Sequence, residues 1–159
     1  MMRLAKDVLE FIELLNSSSV EYLVVGGHAV GFHGFPRLTG DVDFFVRADG
    51  ENAARLIDVF QRFGFEDAEN LRPVLMTVGR SIKIGMPPNR IDVITGVSGI
   101  DFDEAWTSRV SGHLDSVPVD IIGRDALIKN KRASGRPKDL IDAAEIERLT
   151  DSKPGQGTT

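Results

Sequence analysis

Two short apolar runs with unusual ends constrain this chain more than any other feature. The first, Val20 to Val25, closes on Gly26-Gly27, and the second, Phe44 to Val46, is entered through Asp41-Val42-Asp43. Both runs are rich in β-branched or aromatic residues and predict strands, the second spanning 41–47. Side chains two apart on a strand share a face, so Asp41 and Asp43 point the same way. Two carboxylates at the mouth of an apolar strand are costly to bury unless a cation meets them. The pattern therefore asks for an ion, with a divalent-metal ligand pair as the sharp reading. In the bland reading the pair caps the strand and bonds Arg37 or Arg47.

Gly26-Gly27 allows a tight backbone turn, and His28 to His33 predicts a short helix whose first amides suit a phosphate. This is not a dinucleotide fingerprint, because His28 stands where that motif needs glycine. No Gly-Lys-Ser/Thr follows, which excludes a P-loop. His28 and His33, five apart, share no helix face well and read as structural. Arg37 and Thr39, on the loop before the Asp pair, are candidate phosphate contacts beside an ordinary turn role.

Further along, amphipathic patterning predicts helices over 3–16 and 53–63, the latter closed by Gly64. Residues 73–79, 81–86 and 90–95 read as β segments separated by Gly79-Arg80 and Pro87-Pro88-Asn89. Asp101-Phe102-Asp103 repeats the acidic spacing but runs into Glu104-Ala105-Trp106, which marks a helix N-terminus. Val117 to Ile122 is expected to be an edge strand because of Pro118, with Asp120 on its surface. Residues 125–131 and 139–149 predict two helices, with Pro137 suited to the first turn of the second. Lys83 alternates with apolar neighbours and reads as the solvent face of a strand. Trp106 and the nine phenylalanines show no stacking pattern and read as core.

The length, 159 residues, suits one domain over 1–150 followed by a polar tail, 151–159, expected to be disordered. The absence of cysteine excludes thiolate nucleophiles, thiolate metal sites and disulfides, and fits a reducing cytoplasm. Lys6, Asp7, Glu10 and Glu13 interrupt the N-terminal apolar pattern, so a signal peptide or membrane span is not expected there. The formal charge of -5 argues against a strongly basic nucleic-acid binder as a whole. One segment departs from that balance: Lys129, Lys131, Arg132, Arg136 and Lys138 occur with no acid among them. It reads either as a solvated helix end or as a contact for triphosphate or an RNA backbone.

The remaining element is Asp92, a lone carboxylate in the apolar strand Arg90-Ile91-Asp92-Val93-Ile94. If its strand neighbours that of Asp41 and Asp43, three carboxylates converge at one end of a sheet. Two divalent ions about 3.5–4 Å apart can activate an attacking oxygen and stabilise a leaving one in a phosphoryl displacement. Magnesium, or manganese in its place, suits a site of few carboxylates plus substrate phosphates.

Gly-Gly, an interval of about a dozen residues, Asp-x-Asp at a strand start and a later lone Asp together resemble the signature of the DNA polymerase beta-like nucleotidyltransferase superfamily. Within it, HGFPRLTGDVDFFV and SGRPKDLIDAAEI are similar to small AbiEii-type toxins and other minimal nucleotidyltransferases. The resemblance spans about residues 20–148. It implies an α/β fold of the α+β type, a mixed β-sheet with helices packed on it. It also implies that Asp41 and Asp43 bind both metals and that Asp92 binds the catalytic metal and helps deprotonate an acceptor hydroxyl. Gly26 and Gly27 would approach the triphosphate, and Arg37, Thr39, Lys131, Arg136 and Lys138, read above from the residues themselves, are the further candidate nucleotide contacts. The expected reaction moves a nucleoside monophosphate from a nucleoside triphosphate to a hydroxyl of tRNA, a protein or a small molecule. Two alternatives remain open, a non-catalytic nucleotide-binding or interaction module and a metal-dependent hydrolase.

Overall fold

A computed structural model describes residues 4–36 and 39–151, with the side chains of 150 and 151 left aside. Arg37 and the tail from Ser152 onward lie outside the described residues. The described chain forms helix α1 (Lys6–Ser17), strand β1 (Tyr22–Val25), α2 (Gly26–Phe32), β2 (Asp41–Val46) and α3 (Gly50–Arg62). A 3-10 turn (Ala68–Leu71) leads to α4 (Arg72–Leu75), β3 (Ser81–Ile84), β4 (Arg90–Ile94) and α5 (Phe102–Thr107). β5 (Val110–Leu114), β6 (Val117–Ile121), α6 (Arg124–Ser134) and α7 (Pro137–Asp151) complete it.

The strands make one mixed sheet in the order β3-β4-β2-β1-β6-β5. β2 runs parallel to β4 and antiparallel to β1, while β1 runs parallel to β6. Two antiparallel hairpins, β3-β4 and β5-β6, supply the edges. Alternation along β2 sends Val42, Phe44 and Val46 to one face and Asp41, Asp43 and Phe45 to the other. On the first face Phe44 meets Phe11 of α1 at 5.7 Å between ring centroids, and Phe11 meets Phe60 of α3 at 5.8 Å. On the second, Phe45 meets Phe102 of α5 edge-on at 5.1 Å. The core thus has helices on both faces, and the Asp-bearing end of β2 lies on the face with α5.

Three expectations need correction. Residues 73–79 form a short helix and turn rather than a strand. Pro73 has no N–H for a ladder, sits in the first turn of α4, and its carbonyl accepts from Thr77 Oγ1 at 2.7 Å. β6 is not an edge strand: β5, whose Val-Ser-Gly-His-Leu sequence has little β-propensity, pairs outside it, with His113 opposite Pro118. Asp120 is accordingly inside the sheet order, half-buried and 4.0 Å from Arg109. The short helix begins at Gly26, two residues before His28, so both glycines belong to its first turn.

Candidate active site

β2 and β4 place the acids by register. Parallel pairing sets Asp43 directly opposite Asp92 and Asp41 opposite Arg90, so the three carboxylates share one face at one end of adjacent central strands. Asp92 is 8% exposed, and its Oδ1 is buried with no hydrogen-bond partner. Such an orphaned acceptor costs free energy unless a cation or donor reaches it. Burial pushes the Asp43 carboxyl up to about 6, and the neighbouring charges of Asp92 and Asp41 push the same way against Lys83 and Lys131.

The glycine turn closes on the same point. Gly26 has φ +69°, and a Cβ there would lie 2.0 Å from Asp43 Oδ2. Only glycine both adopts this backbone without strain and lets it approach the carboxylate. Beside it, a Cβ on Gly27 would lie 2.9 Å from Thr39 Oγ1. Thr39 Oγ1 in turn donates to the Asp41 carbonyl at 3.1 Å, which ties the incoming loop to the start of β2.

α6 and α7 supply the opposite wall. The αL conformation of Gly135 (φ 68°) ends α6, and Pro137 opens α7. Across this corner the buried ammonium of Lys131 lies 3.1 Å from Asp139 Oδ1 and 3.3 Å from Asp142 Oδ2. Burial alone would raise Asp139. Hydrogen bonds from Ser134, Lys131 and Arg136 outweigh it and hold the carboxyl below its usual range. Between this corner and the sheet lies a cleft of about 450 Å³, lined by Gly26, Gly27, Thr39, Asp41, Asp43, Lys131, Arg136 and Lys138, with Gly40 and Asp139. Every candidate nucleotide contact except Arg37, which lies outside the described residues, therefore lines the same cleft as Asp41 and Asp43.

Two cations at the acids were missed in the sequence. Arg90 grips both oxygens of Asp41, with Nε at 3.2 Å from Oδ1 and Nη2 at 2.8 Å from Oδ2. Arg47, a candidate partner for the acidic pair, bonds Glu21 and Asp103 instead. Lys83 is not merely a solvent-facing residue: its Nζ donates to Asp92 Oδ2 at 2.8 Å. The hairpin turn contained that information, because counting outward from Pro87-Pro88 pairs Lys83 with Asp92, as observed. Among the described residues, no group of three or more His, Cys, Asp and Glu side chains is drawn together as a metal cage. The acids stand as a row, with Arg90 on Asp41 and Lys83 on Asp92. The carboxylate donors, the orphaned Oδ1 of Asp92 and the mutual repulsion around Asp43 fit a hard divalent cation. His33 has the structural role expected, with Nε2 2.7 Å from the Ile122 carbonyl.

No protein-family model and no curated protein matches the chain. Solved structures resemble it. Antibiotic-resistance factor ANT(2'')-Ia in solution has a TM-score of 0.57 and 14% identity, covering 91% of this chain and 82% of that one. A crystal structure of ANT(2'')-Ia in complex with adenylyl-2''-tobramycin has a TM-score of 0.55 and 14% identity, covering 89% and 85%. The chain has the nucleotidyltransferase fold. At this identity the likeness is one of fold, which agrees with the mixed sheet and packed helices that the resemblance implied. Within the nucleotidyltransferase fold, the row of Asp41, Asp43 and Asp92 sits at the end of the two parallel central strands, beside the turn at Gly26-Gly27.

Proposed function

We propose that this protein is a divalent-metal-dependent nucleotidyltransferase that moves a nucleoside monophosphate from a nucleoside triphosphate to an acceptor hydroxyl. The observation that carries the proposal is the registered row of Asp41, Asp43 and Asp92 beside a cleft lined by glycine backbone and by Lys131, Arg136 and Lys138. In this reading Asp41, Asp43 and Asp92 hold two magnesium or manganese ions, which when bound supply Lewis-acid polarisation and in-line alignment. The backbone at Gly26 and Gly27 approaches the triphosphate, its lack of Cβ atoms leaving room for Asp43 and Thr39 beside it. Thr39, Lys131, Arg136, Lys138 and Arg37 bind its oxygens, with Lys131 aimed by Asp139 and Asp142. The acceptor oxygen forms a bond to the α-phosphorus as the bond to the bridging oxygen breaks, and pyrophosphate leaves. Asp92 takes the hydroxyl proton.

The acceptor belongs to one of three classes: tRNA, protein or small molecule. Purified protein incubated with labelled nucleoside triphosphates, magnesium or manganese and cell extract is expected to transfer label to one of them. Transfer that survives Asp41→Asn and Asp43→Asn would overturn the proposal. Likeness to the AbiEii-type proteins extends it to a toxin acting in the cytoplasm, where the triphosphates are. Growth arrest by the wild-type chain but not by Asp43→Asn tests that extension. Among the described residues, no helix is long and apolar enough to cross a membrane.

A second reading, a non-catalytic nucleotide-binding module, is favoured by the ion pairs that Arg90 and Lys83 make with two of the three acids. Calorimetry separates the two. Nucleotide binding that needs no metal, without label transfer to any acceptor class, identifies the module.

A further inference from the structure

Lys83, Asp92 and Asp43 occupy directly opposed positions on β3, β4 and β2, so ammonium and carboxylates form one row across three strands. The two cations paired with the acid row are held differently. Arg90 makes a two-point contact with Asp41, whereas Lys83 makes a single bond to Asp92 Oδ2. The Lys83 side chain is 51% exposed, and that of its partner Asp92 is 11% exposed. β3 is the last strand in the sheet order, so no further strand lies beyond Lys83.

We propose that Lys83 is a tethered counter-ion that sets the metal affinity of the acid row, holding Asp92 Oδ2 until a divalent cation displaces it. This rests on the metal-dependent reading above. Oδ1 of Asp92 has no hydrogen-bond partner, so a cation drawn to this carboxylate meets the Lys83 ammonium on its other oxygen, Oδ2. A single charge on a flexible four-carbon stem and a divalent ion repel each other when both sit on one carboxylate. A half-exposed lysine regains hydration when it leaves, which a buried one could not do so cheaply. Arg90, with two bonds to resist exchange, keeps Asp41 oriented while Lys83 yields. Lys83 is a positioning residue here, acting through Asp92.

The test is manganese binding to the full chain, read from the spectroscopic signal of free Mn²⁺, in wild type, Lys83→Gln, Lys83→Arg and Asp43→Asn. Removing the charge is expected to tighten Mn²⁺ binding about tenfold. Lys83→Arg, which keeps the charge, stays at wild-type affinity or weaker. Lys83→Met, which preserves the apolar stem, repeats the test should the glutamine variant fold poorly. Affinity in both neutral variants equal to or weaker than wild type, with Asp43→Asn still abolishing binding, overturns the role of Lys83 and leaves the metal site standing. Binding unchanged by Asp43→Asn places the ion elsewhere and overturns both.

Discussion

Asp41-Val42-Asp43 and Asp101-Phe102-Asp103 have the same acid, apolar, acid pattern, and in both the middle residue is buried, Val42 at 3% and Phe102 at 8% exposure. Their charges meet different fates. In β2 the period of two places both carboxylates on one face, where Asp92 joins them from β4. Burial, with the charges of Asp92 and Asp41 pushing the same way, raises Asp43 to about 6, and Asp92 Oδ1 has no hydrogen-bond partner. At the start of α5 residues two apart diverge around the helix. Asp101 accepts from the Glu104 amide at 2.8 Å as an N-cap, and Asp103 pairs with Arg47 at the surface. One segment concentrates charge that needs a cation; the other disperses it into ordinary helix chemistry.

The largest test of this contrast is exchange of one oxygen for an amide on each side. Under the proposed function, Asp43→Asn is expected to lower nucleotidyl transfer about a thousandfold or more, since loss of a proposed metal ligand forfeits several kcal/mol of charge stabilisation. Asp103→Asn should leave the rate within about twofold, measured in the same label-transfer assay. Next in size is Gly26→Ala, which forces a Cβ onto Asp43 Oδ2 at a backbone angle that disfavours alanine. A loss of about 2–3 kcal/mol in denaturant melts is expected, together with weakened metal binding.

A third effect is one of pH. Asp43 titrates near 6 in the folded metal-free protein against 3.8 as its ordinary value, so the folded state binds more protons than the unfolded state between those values. Stability contributed by the protonated form is present below pH 3.8 and lost as pH rises through about 6. Thermal melts in chelator should show wild type losing stability relative to Asp43→Asn across that window, and a flat difference sinks the raised carboxyl that burial and its acidic neighbours give Asp43. The smallest change is Asp101→Ala, which removes the N-cap of α5 and is expected to cost about 1 kcal/mol while metal affinity stays unchanged.

Much of the acid row was legible before any coordinates. The strand starting at Asp41, the shared face of Asp41 and Asp43, and the helix N-terminus at Asp101-Phe102-Asp103 all follow from short-range periodicity and capping chemistry. So does α7, opened by Pro137. Segments whose identity depends on neighbours were harder. Val110–Leu114 has weak strand propensity and becomes β5 only because β6 offers an edge. Residues 73–79 carry β-branched side chains, yet Pro73 breaks a ladder and begins a helical turn. The partners of the acids were misjudged for a related reason. Arg47 lies near Asp43 in sequence, but strand direction carries it to the far end of β2, whereas Arg90, about fifty residues away, arrives by parallel pairing.

The sequence by itself determined the chemical inventory: three carboxylates without cysteine competition, a glycine pair, a basic segment before Pro137, and the local elements that bear them. Such properties depend on neighbours within a few residues, where sterics and hydrogen bonding leave few choices. Only the tertiary structure decided that Asp92 stands opposite Asp43, that Gly26 lies against Asp43 Oδ2, and that Lys131 closes the cleft from α6. Strand order and register bring together residues separated by tens of positions, and electrostatic coupling at contact distance exists only once they are placed. The difference between Asp43 and Asp103 is therefore a difference of surroundings, imposed on the same side chain.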